Sequence, residues 1–324
     1  MPLASLIVPA FNVADTLAET LDALLRQTAQ DFEIIIVNDG STDATLDIAQ
    51  SYEGRGPIHI LSQANRGLAG ARNTGIDAAR GAFIGFCDAD DVWRPEKLQS
   101  HLTHLMANPA LGVSYSGSAL IADDGTSLGL SQRPKLTGIT AQDILKRNPI
   151  GNGSAGVFRK AALREIAYRP AFETQRDWVF DETFRQSEDI ECWLRLALST
   201  DWQFEGVDGL LVGYRINASG LSAALDRQYA SWERVIDKLR PLDPAFFATE
   251  EPAARAYQLR YLARRAVSSQ DNDRARGLMR EALRTSRKPL IEEPLKTLST
   301  LLAASLPSRL SLTAITALRA LKAQ

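Results

Sequence analysis

Along the first 110 residues, short apolar runs rich in β-branched residues alternate with segments whose apolar positions recur every three or four residues. Leu3 to Val8, Phe32 to Val37, Ile58 to Leu61 and Ala82 to Phe86 read as strands. Between the first two, Leu17, Leu21, Leu24 and Leu25 share one helical face, and Thr16 with Glu19 has the spacing of a capping box. A second helix follows the DGSTD segment. A third runs from about Gly67 to Arg80, with Leu68, Ile76 and Ala79 available for packing. This alternation predicts right-handed βαβ units and a parallel sheet, whose ligands bind beyond the carboxyl ends of the strands.

Beyond Pro109 the pattern loosens into mixed strand and loop, then a Gly-rich segment, NPIGNGSAGVFRK, and a helix around SEDIECWLRLAL. From about Asp226 onward it is helical only, with Tyr229, Trp232, Ile236 and Leu239 on one face and later Leu295, Leu298 and Leu302 spaced alike. The pattern divides the chain into one α/β domain over residues 1–224, made of halves 1–110 and 111–224, and an all-helical extension over 225–324.

Composition agrees: 324 residues with 45% apolar content are enough for one large domain and a smaller appendage. Two cysteines, Cys87 and Cys192, make no disulfide framework and no zinc pattern. The N-terminus lacks a basic segment ahead of its first apolar run, and no apolar stretch approaches the roughly 20 residues of a membrane-spanning helix. These features lead to the expectation of a cytoplasmic protein. The net charge of −2 conceals an asymmetry, because residues 253–324 hold 14 Lys and Arg against 5 Asp and Glu. A basic tail on an acidic body suggests an anionic partner surface.

Chemistry concentrates at strand ends. AFIGFCDADDVW ends a buried strand in Asp88, Asp90 and Asp91, carboxylates that repel one another unless a hard cation such as Mg²⁺ or Mn²⁺ neutralises them and bridges to a diphosphate. The competing reading is a solvated acidic turn leading into a helix from Trp93 to Met106. FEIIIVNDGSTD puts Asn38 and Asp39 after an apolar run, where Asp39 can accept from a base N–H or a ribose hydroxyl; an Asx turn with Ser41 or Thr42 as helix cap accounts for the same segment. SQANRGLAGARNTG places Arg66 and Arg72 among small residues. Arg72 offers a charged fork to a nucleotide, or else lies on a solvated helix face.

VPAFN at Val8 to Asn12, FEIIIVNDGSTD, NRGLAGARN and FCDADDVW, in this order and spacing, resemble the donor half of family 2 glycosyltransferases. The resemblance implies the GT-A fold, a Rossmann-like, mixed and mainly parallel sheet flanked by helices. It further implies that the first strand end (Pro9, Phe11, Asn12) and Asp39 hold the nucleobase, usually uracil, that Arg72 contacts the nucleotide, Asp88 the ribose, and Asp90 a Mn²⁺ or Mg²⁺ ion. SEDIECWLRLAL resembles the acceptor-side carboxylate pair, with Asp189 as catalytic base and Glu188 orienting the acceptor. Asn152, Gly153 and Ser154, together with Trp193, are the expected border of the sugar pocket. VGYRINASGLS resembles a segment that closes over the diphosphate; Asn217 stands at a position commonly histidine, which leaves Arg215 as the diphosphate contact. His59, His101 and His104 receive no role.

The implied activity is inverting transfer of a sugar from a nucleoside diphosphate donor, UDP by family frequency, to an acceptor hydroxyl of a glycan or lipid-linked glycan in surface polysaccharide biosynthesis. Nucleic acid is not an expected partner. The alternative is a catalytically inactive scaffold of the same fold, which predicts loss of the metal and base carboxylates; Asp88, Asp90 and Asp189 are present. A nucleotidylyltransferase would carry a Gly-rich basic first loop and a dehydrogenase G-x-G-x-x-G, and the first strand is followed by neither. Ser311 to Ala323 reads as a basic amphipathic helix with Leu312, Ile315, Leu318 and Leu321 on one side, suited to an anionic membrane face, the protein's own core, or a second subunit.

Overall fold

The computed structural model describes residues 1–216 and 221–306. Among these, nine strands form one sheet: β1 (Ala4–Ala10), β2 (Phe32–Asn38), β3 (Ile58–Ser62), β4 (Phe83–Phe86), β5 (Val92–Trp93), β6 (Leu111–Ile121), β7 (Ser127–Gln132), β8 (Gly156–Arg159) and β9 (Gln203–Arg215). Their spatial order is β3, β2, β1, β4, β8, β6, β9, β5, with β7 beside β6. The first four strands pair in parallel, whereas β8 runs antiparallel to both β4 and β6. The sheet is thus mixed and mainly parallel. Every residue of β1 and β2 is buried, the expected fate of continuous apolar runs in a parallel sheet covered on its faces.

Three helices make the early crossovers: α1 (Leu17–Leu25), α2 (Thr45–Ser51) and α3 (Gly67–Ala78). α3 lies close on the sheet because Gly75 carries no side chain; a Cβ there would come 2.3 Å from Ile7 Cγ2. Then follow α4 (Lys97–Ala107), α5 (Ala141–Arg147), α6 (Lys160–Glu165) and α7 (Glu188–Ser199).

Local expectations fail where a tertiary partner outbids the local one. Thr16 does not cap α1. Its hydroxyl donates to the Ala89 carbonyl at 2.9 Å, and Glu19 turns instead to Arg215 at 2.6 Å. Trp93 is not helical but pairs with Val212 in the sheet, and α4 starts only at Lys97, past Pro95. Leu68 is exposed instead of packed.

The described residues form two compact units, 1–144 with 148–216, and 145–147 with 221–306. The second contains α8 (Leu221–Leu239), α9 (Pro244–Ser268), α10 (Asn272–Thr285), α11 (Lys288–Glu292) and α12 (Pro294–Ser305). Trp232, Ile236 and Leu239 are buried on one face of α8, and Leu225, Leu262, Ala266, Ala275 and Ala303 share a core. No described helix is long and apolar enough to cross a membrane. The segment Ser311 to Ala323 lies outside the described residues. Both cysteines are free and buried.

Candidate active site

The loops that leave β1, β2 and β4 emerge at one edge of the sheet, because these strands are parallel and in register there. β1 ends on Pro9 and Ala10, both buried; Phe11 then stands 48% exposed and Asn12 takes φ of 52°. Asn12 Oδ1 accepts from the Thr42 N–H at 2.8 Å while its own N–H donates to Ser41 Oγ at 3.2 Å, which ties the first loop to the second.

Asp39 is buried and accepts from Gln63 Nε2 at 2.6 Å and from the Arg66 and Gly67 N–H groups, each at 2.8 Å. The carboxylate therefore caps α3, where the helix dipole favours negative charge. Three of about four acceptor positions are filled, leaving one for a ligand N–H or hydroxyl. Gly40 makes the turn possible: at φ of 77° a side chain is strained, and a Cβ would come 3.0 Å from Asn65 N.

Arg72 links the loop after β4 to the start of α7. Its guanidinium is buried and donates to Asp88 Oδ1 at 2.8 Å and to Glu188 Oε1 at 2.9 Å, with the Phe180 ring centroid 5.3 Å away. Burial works against its charge, but Asp88, Glu188 and Asp189 more than offset that and hold its pKa above the ordinary arginine value. Gly153 is needed beside it, since a Cβ there would lie 2.2 Å from Arg72 Nη2 and 3.0 Å from Asp88 Oδ2. Ser154 Oγ accepts from the Asp88 N–H at 2.9 Å, Asn152 Oδ1 accepts from the Ser154 N–H at 3.1 Å, and Asn152 Nδ2 donates to Ser118 at 2.9 Å. The Asn152 to Ser154 segment is thus brought onto the Asp88 loop.

Asp189, in the first turn of α7, is half-buried and accepts from the Ile190 N–H at 2.8 Å. Burial, with the neighbouring Glu188 charge, pushes its carboxyl up to about 7, against the pull of Arg72. A carboxylate with that value is poised to exchange a proton near neutral pH.

The three strand-end carboxylates separate. Asp88 and Asp90 are half-buried at the cleft, whereas Asp91 is fully buried. Asp91 Oδ1 accepts from the Arg215 N–H at 3.0 Å, and its burial, with Asp88 and Asp90 nearby, raises its carboxyl well above the usual range. Asp90 offers hard oxygen donors of the kind Mg²⁺ and Mn²⁺ take. Among the described residues no cluster of three or more potential ligands could hold a metal by itself. The donor set fits a cation that shares its shell with a bound diphosphate, the usual way Mg²⁺ is held.

Two expectations need correction. Trp193 does not border a pocket: it is fully buried, stacked on Phe158 at 4.3 Å between centroids and edge-on to Phe180 at 5.6 Å. Arg215 is turned inward, donating to the carbonyls of Asp90 (2.8 Å), Ala122 (2.9 Å) and Asp123 (2.6 Å) and pairing with Glu19. Four of its five N–H donors are spent on fixing the loop that carries Asp90. Arg66, similarly, is committed to Glu173, Glu182 and Gln175.

The sequence pattern did not single out Arg185. This exposed side chain lies against α3, such that a Cβ on Gly67 would come 2.0 Å from its Nη1, and it has no hydrogen-bond or ion-pair partner among the described residues. Its signal was a cation three residues before the acid pair in FRQSED. Behind the site, Lys97 is buried over Trp93, donating to the Ala155 carbonyl at 2.8 Å and facing His101 Nε2 at 2.9 Å; burial lowers its ammonium to about 7.

Residues 5–167 match the family model described as glycosyl transferase family 2. The chain is 32% identical over 225 residues to the putative teichuronic acid biosynthesis glycosyltransferase TuaG of Bacillus subtilis (strain 168), covering 68% of this chain and 82% of that protein. It is 39% identical over 223 residues to the UDP-Glc:alpha-D-GlcNAc-diphosphoundecaprenol beta-1,3-glucosyltransferase WfaP of Escherichia coli, covering 69% and 81%. Among solved structures, S. aureus TarS 1-349 in complex with UDP-GlcNAc superposes with a TM-score of 0.60 at 18% identity, over 94% of this chain and 90% of that one, a likeness of fold.

Proposed function

Since the chain belongs to glycosyl transferase family 2, we propose that it transfers a sugar, with inversion, from a UDP-sugar to a hydroxyl of a lipid-linked glycan in cytoplasmic assembly of a surface polysaccharide. Two relatives support this direction, one named for teichuronic acid biosynthesis and one for UDP-glucose and a diphosphoundecaprenol-linked acceptor. The GT-A fold, shared with TarS, accommodates it.

In this reading Pro9, Phe11, Asn12 and the remaining acceptor position of Asp39 take the nucleobase, and Asp88 takes the ribose. Arg72 holds Asp88 in place and adds positive charge beside the nucleotide. Asp90 would hold Mn²⁺ or Mg²⁺ on the diphosphate, and the bound cation would supply charge neutralisation for the departing UDP. Asn152 to Ser154 and Glu188 are buried and act from behind the sugar and acceptor, holding Asp88 and Arg72 in place. Asp189 removes the proton from the acceptor hydroxyl as its oxygen attacks the anomeric carbon opposite the diphosphate; the C–O bond to UDP breaks and configuration inverts.

The observation that carries the reading is the Asp88–Arg72–Glu188 bridge, with Asp189 next in the chain at the start of α7. It supports the reading by holding on one guanidinium the carboxylate we assign to the donor and the one we assign to the acceptor. Calorimetric titration with UDP, GDP, dTDP and CDP, with and without Mn²⁺, tests it. Metal-dependent binding of UDP that Asp90→Ala loses, with Asp189→Asn binding UDP but transferring nothing, is the expected result; no nucleotide binding at all would refute it.

A further inference from the structure

The helical unit turns apolar and cationic side chains outward together. Ile291, Leu295, Leu298 and Leu302 recur at intervals of four, three and four residues across α11 and α12, and they are 74%, 73%, 52% and 53% exposed. The inward face of α12 carries Thr297, Thr300, Ala303 and Ala304, all buried. The helix is thus anchored by its small residues and leaves its large aliphatic ones in solvent. A ridge of this kind on a folded surface marks a contact face.

Beside it, Arg280, Leu283, Arg284, Arg287 and Leu290 line a hollow of about 390 Å³. The arginines are spaced four and three residues apart, all are exposed, and none of their side chains has a hydrogen-bond or ion-pair partner among the described residues. Elsewhere in the same unit Arg255, Arg260, Arg274 and Arg276 are each paired with a carboxylate. Leu290 in the hollow and Ile291 on the ridge are consecutive, so the two features adjoin.

We propose that this face docks on an anionic phospholipid surface. The ridge enters the acyl boundary while Arg280, Arg284 and Arg287 engage headgroup phosphates, the division of labour of an interfacial amphipathic helix. Charge complementarity selects this occupant. A second copy packed ridge to ridge about a two-fold axis would bring two like-charged arginine hollows to the same seam. Residues 307–324 carry Arg309, Arg319 and Lys322 and no acid, so they cannot neutralise the hollow either. The inference does not rest on the transferase reading, since the docking assay needs no donor.

The test is co-sedimentation of the full chain with vesicles of phosphatidylglycerol and phosphatidylcholine, against pure phosphatidylcholine. Expected are binding to the anionic vesicles only, weakened by salt, and a loss of at least tenfold in both Arg280→Gln/Arg284→Gln/Arg287→Gln and Leu295→Ser/Leu298→Ser, with UDP affinity and circular dichroism unchanged. Equal vesicle binding by wild type and both variants overturns the proposal, as does no binding by wild type. A wild-type oligomer that Leu295→Ser/Leu298→Ser converts to monomer, without change in vesicle affinity, also overturns it in favour of a second copy. Binding that appears only when residues 307–324 are deleted overturns it in favour of that segment.

Discussion

Replacing Glu188 with Gln should move the pH profile of transfer toward acid. Only the ionised form of Asp189 accepts a proton, so wild-type activity should rise with pH through about 7 and then level. Burial is the first cause of that raised value and Glu188 the second. Consecutive residues put two carboxylates on the order of 6 Å apart, and at an effective dielectric near 20 two such charges repel by roughly 2.8 kcal/mol, about two pH units. Partial exposure of Asp189 screens the pair, while Arg72, relieved of Glu188, pulls harder on Asp189; the net displacement should be about one to two units. Burial remains, so the limb should stop short of an ordinary aspartate. The assay is UDP release at saturating donor and acceptor from pH 5 to 9, read for the position of the acid limb, whatever height Glu188→Gln retains. A limb that stays within a few tenths of a unit of wild type would show that Glu188 does not set the proton affinity of the base, and transfer retained by Asp189→Asn would remove the base itself.

Gly153→Ala should drive a methyl into Arg72 and Asp88, lowering UDP affinity more than tenfold and, as overpacking of a buried pair, costing about 1–3 kcal/mol of stability; calorimetry and thermal melting read the two. Arg185→Ala should weaken UDP binding about tenfold or more, as expected for one charge-assisted hydrogen bond, and leave Tm unchanged; an unaltered Kd refutes a ligand contact. Arg215→Lys keeps the charge and loses the fork, so it should cost about 2 kcal/mol, roughly 4–8 °C in Tm, through buried carbonyls left unpaired. A direct diphosphate contact predicts the opposite, an unchanged Tm with nucleotide affinity mostly kept.

The parallel half of the sheet was legible because each strand there is a continuous apolar run, and a run of that kind has few alternatives once loops of Gly, Asn and Asp bound it. β1 and β2 begin and end within two residues of the expected positions. The strand-end turns were legible for the same reason. What the pattern could not give was direction. Asp88, Asp90 and Asp91 look alike in sequence, yet the pleat and the turn send the third into the core against Arg215. Trp193 belongs to a helix whose first turn faces the cleft and whose second faces Phe158, and periodicity alone does not say where one gives way to the other. Thr16 and Glu19 satisfied a local rule and were claimed by Ala89 and Arg215 from across the fold.

The arginines show why. Arg66 reaches Glu182 and Arg72 reaches Glu188, each across 116 residues of chain, and Arg215 reaches the Asp90 carbonyl across 125. In sequence all three resemble ligand contacts, because a permanently charged fork among glycines and acids suits a phosphate well. The same fork, buried, suits two or three protein acceptors equally well, and a carboxylate gathered this way is held where solvent cannot reorient it. Separation along the chain hides such partners from any local pattern, so the residues that shape a site can be mistaken for those that touch its ligand. Arg72 belongs to the first kind: it fixes Asp88, fixes Glu188, and draws down the proton affinity of Asp189 that burial and Glu188 raise. A change at Arg72 should therefore alter nucleotide affinity and the pH limb together, whereas changes at Arg215 should alter the fold and the Asp90 loop without moving the limb.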